Sequence, residues 1–185
     1  MRTDICKSTY SSADKAFAHA STFGESALAM RSAVATVEVC EDERVSERSA
    51  QMGLKLRQEL STRLQRFSFV KEVRGLGLFN AIEFQNPSSL GLSLLFTPFR
   101  KAHPGLFGQM FIKTIFDRGK ILCQMAGTNY LAIKSISPLI ITDEQLNHYV
   151  QSVEDVCHLI QHENGEFLPQ GLKIAARALG RMRKA

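Results

Sequence analysis

The segment His19–Val39, HASTFGESALAMRSAVATVEV, decides how the rest of the chain is read. Thr22 and Glu25 have the T-x-x-E spacing of a capping box, in which the hydroxyl takes an orphan N–H and the carboxylate reaches back. Apolar residues recur at Leu28, Ala33, Val34, Val37 and Val39, a pattern that predicts a long, largely buried helix starting at Thr22. Upstream, residues 1–20 with the Ser-rich run STYSSADKAF read as irregular.

Downstream, the charged run EDERVSERS breaks the pattern, and a second helix places Met52, Leu54, Leu56, Leu60 and Leu64 on or near one face. The period then shortens to that of strands, at Val70–Arg74 and Leu78–Phe84, joined at Gly75 and Gly77. Asn86–Ser89 reads as a loop and Gly105–Asp117 as a helix with Leu106, Met110, Ile112 and Ile115 inward. Ile121–Met125 and Tyr130–Ile136 read as strands around Gly127-Thr128-Asn129. Thr142, with Glu144 in the next turn, opens a helix to about Gln161 with Leu146, Val150, Val153, Val156 and Ile160 inward. A last helix is expected from Pro169 to Met182. The sum is α+β: helices packed on a small, mostly antiparallel sheet, with no self-contained second domain.

The totals exclude several classes. At 185 residues, 44% hydrophobic and 22% charged, the chain is globular in composition rather than disordered. A net charge of +5 permits an acidic partner without requiring one. Cys6, Cys40, Cys123 and Cys157 are far apart and form no CxxC, against a zinc ribbon or redox pair and in keeping with reduced thiols in a cytoplasmic setting. No apolar run has the length of a membrane span.

The order of motifs resembles a known family. His19-Ala-Ser21-Thr22-Phe23-Gly24, a long helix, Val73-Arg74-Gly75-x-Gly77-Leu78, a Ser137-Pro138-Leu139 strand end and a Thr142-Asp-Glu-Gln helix follow one another as in the C-terminal part of class III, fold-type I, pyridoxal-phosphate-dependent aminotransferases. SLGLSLLF, GLFGQM and ILCQMAG resemble the putrescine or diamine branch more than the ornithine branch. The resemblance implies a division into residues 1–22 (remnant of the large cofactor domain), 23–66 (connecting helices), 67–165 (small domain) and 166–185 (basic helical tail). It implies amino transfer from an amine or diamine to a 2-oxo acid in a complete enzyme, with pyridoxal phosphate held by a lysine and acting as electron sink. Lys7 and Lys15 do not sit in the family's lysine motif, so no Schiff-base lysine is assigned to this chain. The early helix start is then expected because the cofactor domain does not stand in front of it.

The same resemblance assigns roles residue by residue. Thr22, with Ser21 and Phe23, corresponds to a loop that contacts the cofactor phosphate of a neighbouring subunit; read on its own, Thr22 is a helix cap. His19 falls just before that loop. Arg74 borders the substrate entrance as a structural anchor or a substrate-side charge. Lys134 stands near the point where the ornithine branch has a carboxylate-clamping arginine; a lysine has no bidentate fork, which points to a donor without an α-carboxylate or to a looser carboxylate grip. A plain strand lysine is the alternative. Gly75 and Gly77 read as turn or bulge positions, since a strand and not a helix follows them. Cys157, His158 and His162 read as a helix face rather than a metal site. The tail GLKIAARALGRMRKA is a basic amphipathic helix without a nucleic-acid motif. The expected partners are a second copy or the large domain. A second hypothesis is a non-catalytic interaction module exposing an apolar patch, with Phe96, Phe99, Phe107, Phe111 and Phe116 as candidates.

Overall fold

A computed structural model describes residues 2–18, 21, 22, 24, 26–87, 105–127 and 131–162. The expectations for His19, Phe23, Glu25, Phe96, Phe99, the turn at 128–130 and the tail from 163 onward lie outside the described residues. Contacts divide the chain between Arg44 and Val45 into two compact units.

In the first unit, α1 (Thr3–Thr9) and a short 3-10 turn (Ala13–Lys15) stand where irregular chain was expected. The helix α2 spans Ala27–Asp42, with Ser26 as its extended N-cap residue and no side-chain cap bond. Thr22 is therefore not the cap. Ser21–Gly24 closes a turn instead, Gly24 N–H donating to the Ser21 carbonyl at 3.0 Å. The expectation of a largely buried helix also fails. Leu28 is 80% and Val37 57% exposed, and α2 has no buried residue. No described side chain of this unit is buried, so its apolar surface has no core to enter. Glu43 ends the helix, and Arg44 turns the chain at φ +49°.

The second unit holds the core. The helix α3 (Val45–Leu64) buries Leu56, Leu60 and Leu64 at the four-residue spacing of one face, whereas Leu54 is half exposed. β1 (Val70–Leu76) and β2 (Phe79–Phe84) form a hairpin. Its two-residue turn is Gly77-Leu78, with Gly77 at φ +53° as the first position of such a turn demands. Gly75 lies inside β1 opposite Asn80 rather than in the turn. The helix α4 (Leu106–Gly119) buries Met110, Phe111 and Ile115. β3 (Gln124–Ala126) and β4 (Ala132–Ile136) are shorter than the sequence suggested. The sheet is antiparallel throughout, in the order β1-β2-β4-β3. The helix α5 (Asp143–His162) completes the layer. Its capping box is Thr142 with Gln145: Gln145 N–H donates to Thr142 Oγ1 at 3.2 Å, and Thr142 N–H to Gln145 Oε1 at 3.1 Å.

Phe67, Phe69, Phe84, Phe107 and Phe111 meet in the core, with Phe84 and Phe107 edge to face at 5.4 Å. Phe107 and Phe111 are thus core residues and not part of an exposed patch; Phe116 is 45% exposed.

One contact fixes α3 on the sheet. A Cβ at Gly53 would stand 1.9 Å from the Gly77 carbonyl oxygen. Ser49 and Arg57, one turn to either side, bond the same hairpin: Leu78 N–H donates to Ser49 Oγ at 3.3 Å, and Arg57 donates to the Gly77 carbonyl at 2.8 Å and to Asn80 Oδ1 at 3.1 Å. Gly53→Ala is expected to cost about 1–3 kcal/mol, because backbone rather than a mobile side chain blocks the methyl. Leu54→Ala, one residue on, is expected to stay within about 0.5 kcal/mol of the parent in urea unfolding.

Candidate functional site

The residues singled out by sequence fall in two places, one in each unit. Ser21 and Thr22 occupy the turn before α2, and both are exposed. Arg74 and Lys134 lie on the sheet. Directly paired residues share a face, so the registers Arg74↔Ala81 and Ala81↔Lys134 put both cations on one face, flanking Ala81. Gln124 continues the row beyond Lys134. The next row on this face is Leu76, Phe79 and Ile136, which are 86%, 54% and 66% exposed. The opposite face carries Ile82, Phe84 and Ile133 into the core.

The two cations differ in their surroundings. Arg74 is paired with Glu72 at 3.2 Å and Glu83 at 3.4 Å. Lys71 holds Glu83 at 2.6 Å. The Lys71 hydrogen bond draws the Glu83 carboxyl below the ordinary carboxylate range, with Arg74 adding to it, and the lysine is raised in return. Lys134 makes no ion pair with any described residue and is half buried. The sequence had named both residues but not their shared row. Recognising a two-residue turn at Gly77-Leu78 would have set Arg74 opposite Ala81; the β2–β4 register had no such signal.

Behind the sheet, Cys157 is buried, and His158 and His162 stack at 5.9 Å. His158 Nε2 faces the Arg66 guanidinium at 2.5 Å; the guanidinium donates, so this nitrogen accepts. No group of three metal-ligating side chains gathers among the described residues. No described helix is long and apolar enough to cross a membrane.

A pocket of about 450 Å³ opens between β4, residues 121–123 and the start of α5. Its lining has no lysine or arginine, so neither a Schiff-base amine nor a phosphate counter-charge is present in it. It does not fit pyridoxal phosphate. Of the described residues tied to that cofactor by sequence, only the hydroxyls of Ser21 and Thr22 have suitable chemistry, as phosphate donors. No catalytic step is therefore derived through the cofactor.

The family model for Aminotransferase class-III matches residues 2–157. The chain belongs to the class III aminotransferase family. It is 32% identical over 139 residues to ornithine aminotransferase 1 of Staphylococcus aureus, covering 75% of this chain and 29% of that protein. It is 32% identical over 130 residues to diaminobutyrate–2-oxoglutarate aminotransferase of Rhizobium meliloti, covering 70% and 27%. Among solved structures, ornithine aminotransferase of Toxoplasma gondii, which shows partial occupancy of PLP at its active site, superposes with a TM-score of 0.60 at 26% identity, covering 78% of this chain and 30% of that one. A Bacillus anthracis aminotransferase reaches a TM-score of 0.64 at 20% identity, covering 85% and 34%, a likeness of fold. The chain spans 27% and 29% of the length of the two curated relatives, and 30% and 34% of the two solved structures.

The thiol of Cys123 gives the region behind the sheet a measurable pH response. Burial pushes it up from 9.0 to about 11, and burial raises Tyr149 and Cys157 in the same direction. Above pH 9 the unfolded chain releases the Cys123 proton while the folded chain keeps it until about 11. Stability is therefore fully present below pH 9 and falls as pH rises through that window. The urea midpoint is expected to drop between these values, and Cys123→Ala to make the drop shallower. An equally steep drop in the variant would show that another group sets it.

Proposed function

We propose that this chain is the small-domain and C-terminal part of a class III aminotransferase, and that amino transfer takes place in the complete enzyme rather than in this chain alone. The reading rests on the family match over residues 2–157, joined to the small antiparallel sheet that carries Arg74 and Lys134 on one face. Its cofactor is pyridoxal phosphate, which supplies the electron sink when bound. The donor class is a molecule with a terminal primary amine. It leaves as an aldehyde, and its nitrogen passes to a 2-oxo acid, which becomes an amino acid. The relatives' named donors, ornithine and diaminobutyrate, are diamino acids; Lys134, a point charge, favours a diamine without the α-carboxylate.

Within that enzyme, Ser21 and Thr22 donate hydroxyl hydrogen bonds to the cofactor phosphate across a homodimer, beside His19 and Phe23. Lys134 supplies the substrate-side charge, and Arg74, held by Glu72 and Glu83, orients the strand that borders the entrance. Residues 1–22, 23–66, 67–165 and 166–185 act as cofactor-domain remnant, connecting helices, small domain and basic tail. The setting is cytoplasmic.

The purified chain, given pyridoxal phosphate, putrescine and 2-oxoglutarate, is expected to form no glutamate. Co-expression with the remaining part of a class III subunit is expected to restore turnover, and Thr22→Ala to raise the cofactor concentration needed by about tenfold. Sustained glutamate formation by the chain alone would overturn the division of labour. Failure of the co-expressed pair would favour a second reading, a non-catalytic interaction module. That reading has one observation in its support, the exposed Leu28, Met30, Val34 and Val37 of α2.

A further inference from the structure

The pocket behind the sheet has a chemistry unlike that of the Lys134 face. Lys134 and Ser135 are consecutive on β4 and so point to opposite faces; the pocket is on the Ser135 side. Its walls are Ile121, Leu122, Pro138, Ile141 and the ring of Tyr149. At about 450 Å³ it lies within the usual range of small-molecule sites, roughly 300–1,000 Å³. Its inner groups, the Cys123 thiol and the Tyr149 phenol, are neutral near pH 7, and burial moves both further toward the protonated form. Ser135 Oγ is buried and satisfies no hydrogen bond, although the Tyr149 hydroxyl stands beside it.

The lining has one carboxylate and neither lysine nor arginine. That carboxylate is Glu144, and it makes no ion pair with any described residue. Three cations close to the lining in sequence or by contact each hold a hydrogen-bond partner other than Glu144. Lys55 bonds Asp143 at 2.6 Å, Lys120 bonds the Asp117 carbonyl at 2.8 Å, and Arg48 bonds the carbonyl of Ile141 at 2.9 Å. His148 Nε2–H donates to the Gly119 carbonyl at 2.8 Å, which occupies that edge of the ring. An apolar body entering here would meet Ile121, Ile141 and Tyr149, and a charge left at the mouth would meet a free carboxylate.

We propose that this pocket binds a small organic ammonium, its compact apolar body between Ile121, Pro138, Ile141 and Tyr149 and its cationic head against Glu144. Anions of the same shape bind more weakly, because the lining has one carboxylate and neither lysine nor arginine. Lys134 itself does not line the site, and the proposal is independent of the amino-transfer reading.

The test is a titration of the ¹⁵N-labelled chain with 2-phenylethylamine, followed by amide shifts. The uncharged isostere 2-phenylethanol and the anionic isostere 3-phenylpropionate serve as comparisons at equal millimolar concentration. Amine-induced shifts are expected at 121–123, 135–137 and 144–149, with 3-phenylpropionate about tenfold weaker. Glu144→Gln, at an exposed position that leaves the core intact, is expected to weaken the amine about two- to fivefold and to leave 2-phenylethanol unchanged. Absence of shifts at these amides, equal binding of 3-phenylpropionate, or an unchanged amine affinity in Glu144→Gln would each overturn the proposal. The assay reads binding and no turnover, so its failure is distinct from a failure of the amino-transfer reading.

Discussion

The second unit depends on the absence of two side chains. Gly53 lets α3 lie against the backbone of the β1–β2 turn, and Gly77 gives that turn the positive φ it needs while leaving room for Ser49. Ser49, Gly53 and Arg57 are spaced four apart and so share one stripe of α3. The hydroxyl and the guanidinium bond the turn on either side of the close approach. The contact is polar and backbone-directed, which sets position; burial of Leu56, Leu60 and Leu64 on the adjoining face supplies the driving force. Register passes outward from this point, from the hairpin to β4 and then β3.

Legibility in the sequence followed the kind of signal each element carried. The helix α5 was clear because five inward residues recur with helical period, and all five are buried. The two strands of the hairpin are legible from the shortened period around Gly75 and Gly77, but the turn itself is Gly77-Leu78 and Gly75 lies inside β1. The start of α2 was misread because Thr22-x-x-Glu25 has cap spacing while the chain uses Thr22 inside a Ser21–Gly24 turn; a four-residue pattern does not distinguish the two. The exposure of α2 was misread for another reason. Period reports that a face is apolar, not that something in the same chain covers it. Phe107 and Phe111 show the converse: aromatic richness near a suspected interface marked the core.

The candidate residues were legible one at a time, not as an arrangement. Arg74 and Lys134 are 60 positions apart in sequence and reach the same row of the sheet only through the registers of two strand pairs. Once there, they are not equivalent. Two carboxylates claim Arg74, and no described residue claims Lys134. That asymmetry is set by Glu72 and Glu83, residues that no motif singled out. The pocket behind the sheet was equally hidden, because its walls come from a loop, a strand end and a helix start that carry no common pattern.

The row Leu76–Phe79–Ile136 has a consequence for self-association. It runs across the strands, while the outer strand β1 presents Lys71, Glu72 and Arg74 along its length. Such charges discourage another strand from extending the ladder. The apolar row lies on the broad face instead. At high concentration this unit can therefore associate through the broad face, while strand addition at the β1 edge is disfavoured. Association through that face is apolar and so tolerates salt, unlike contacts made by the charged β1 edge.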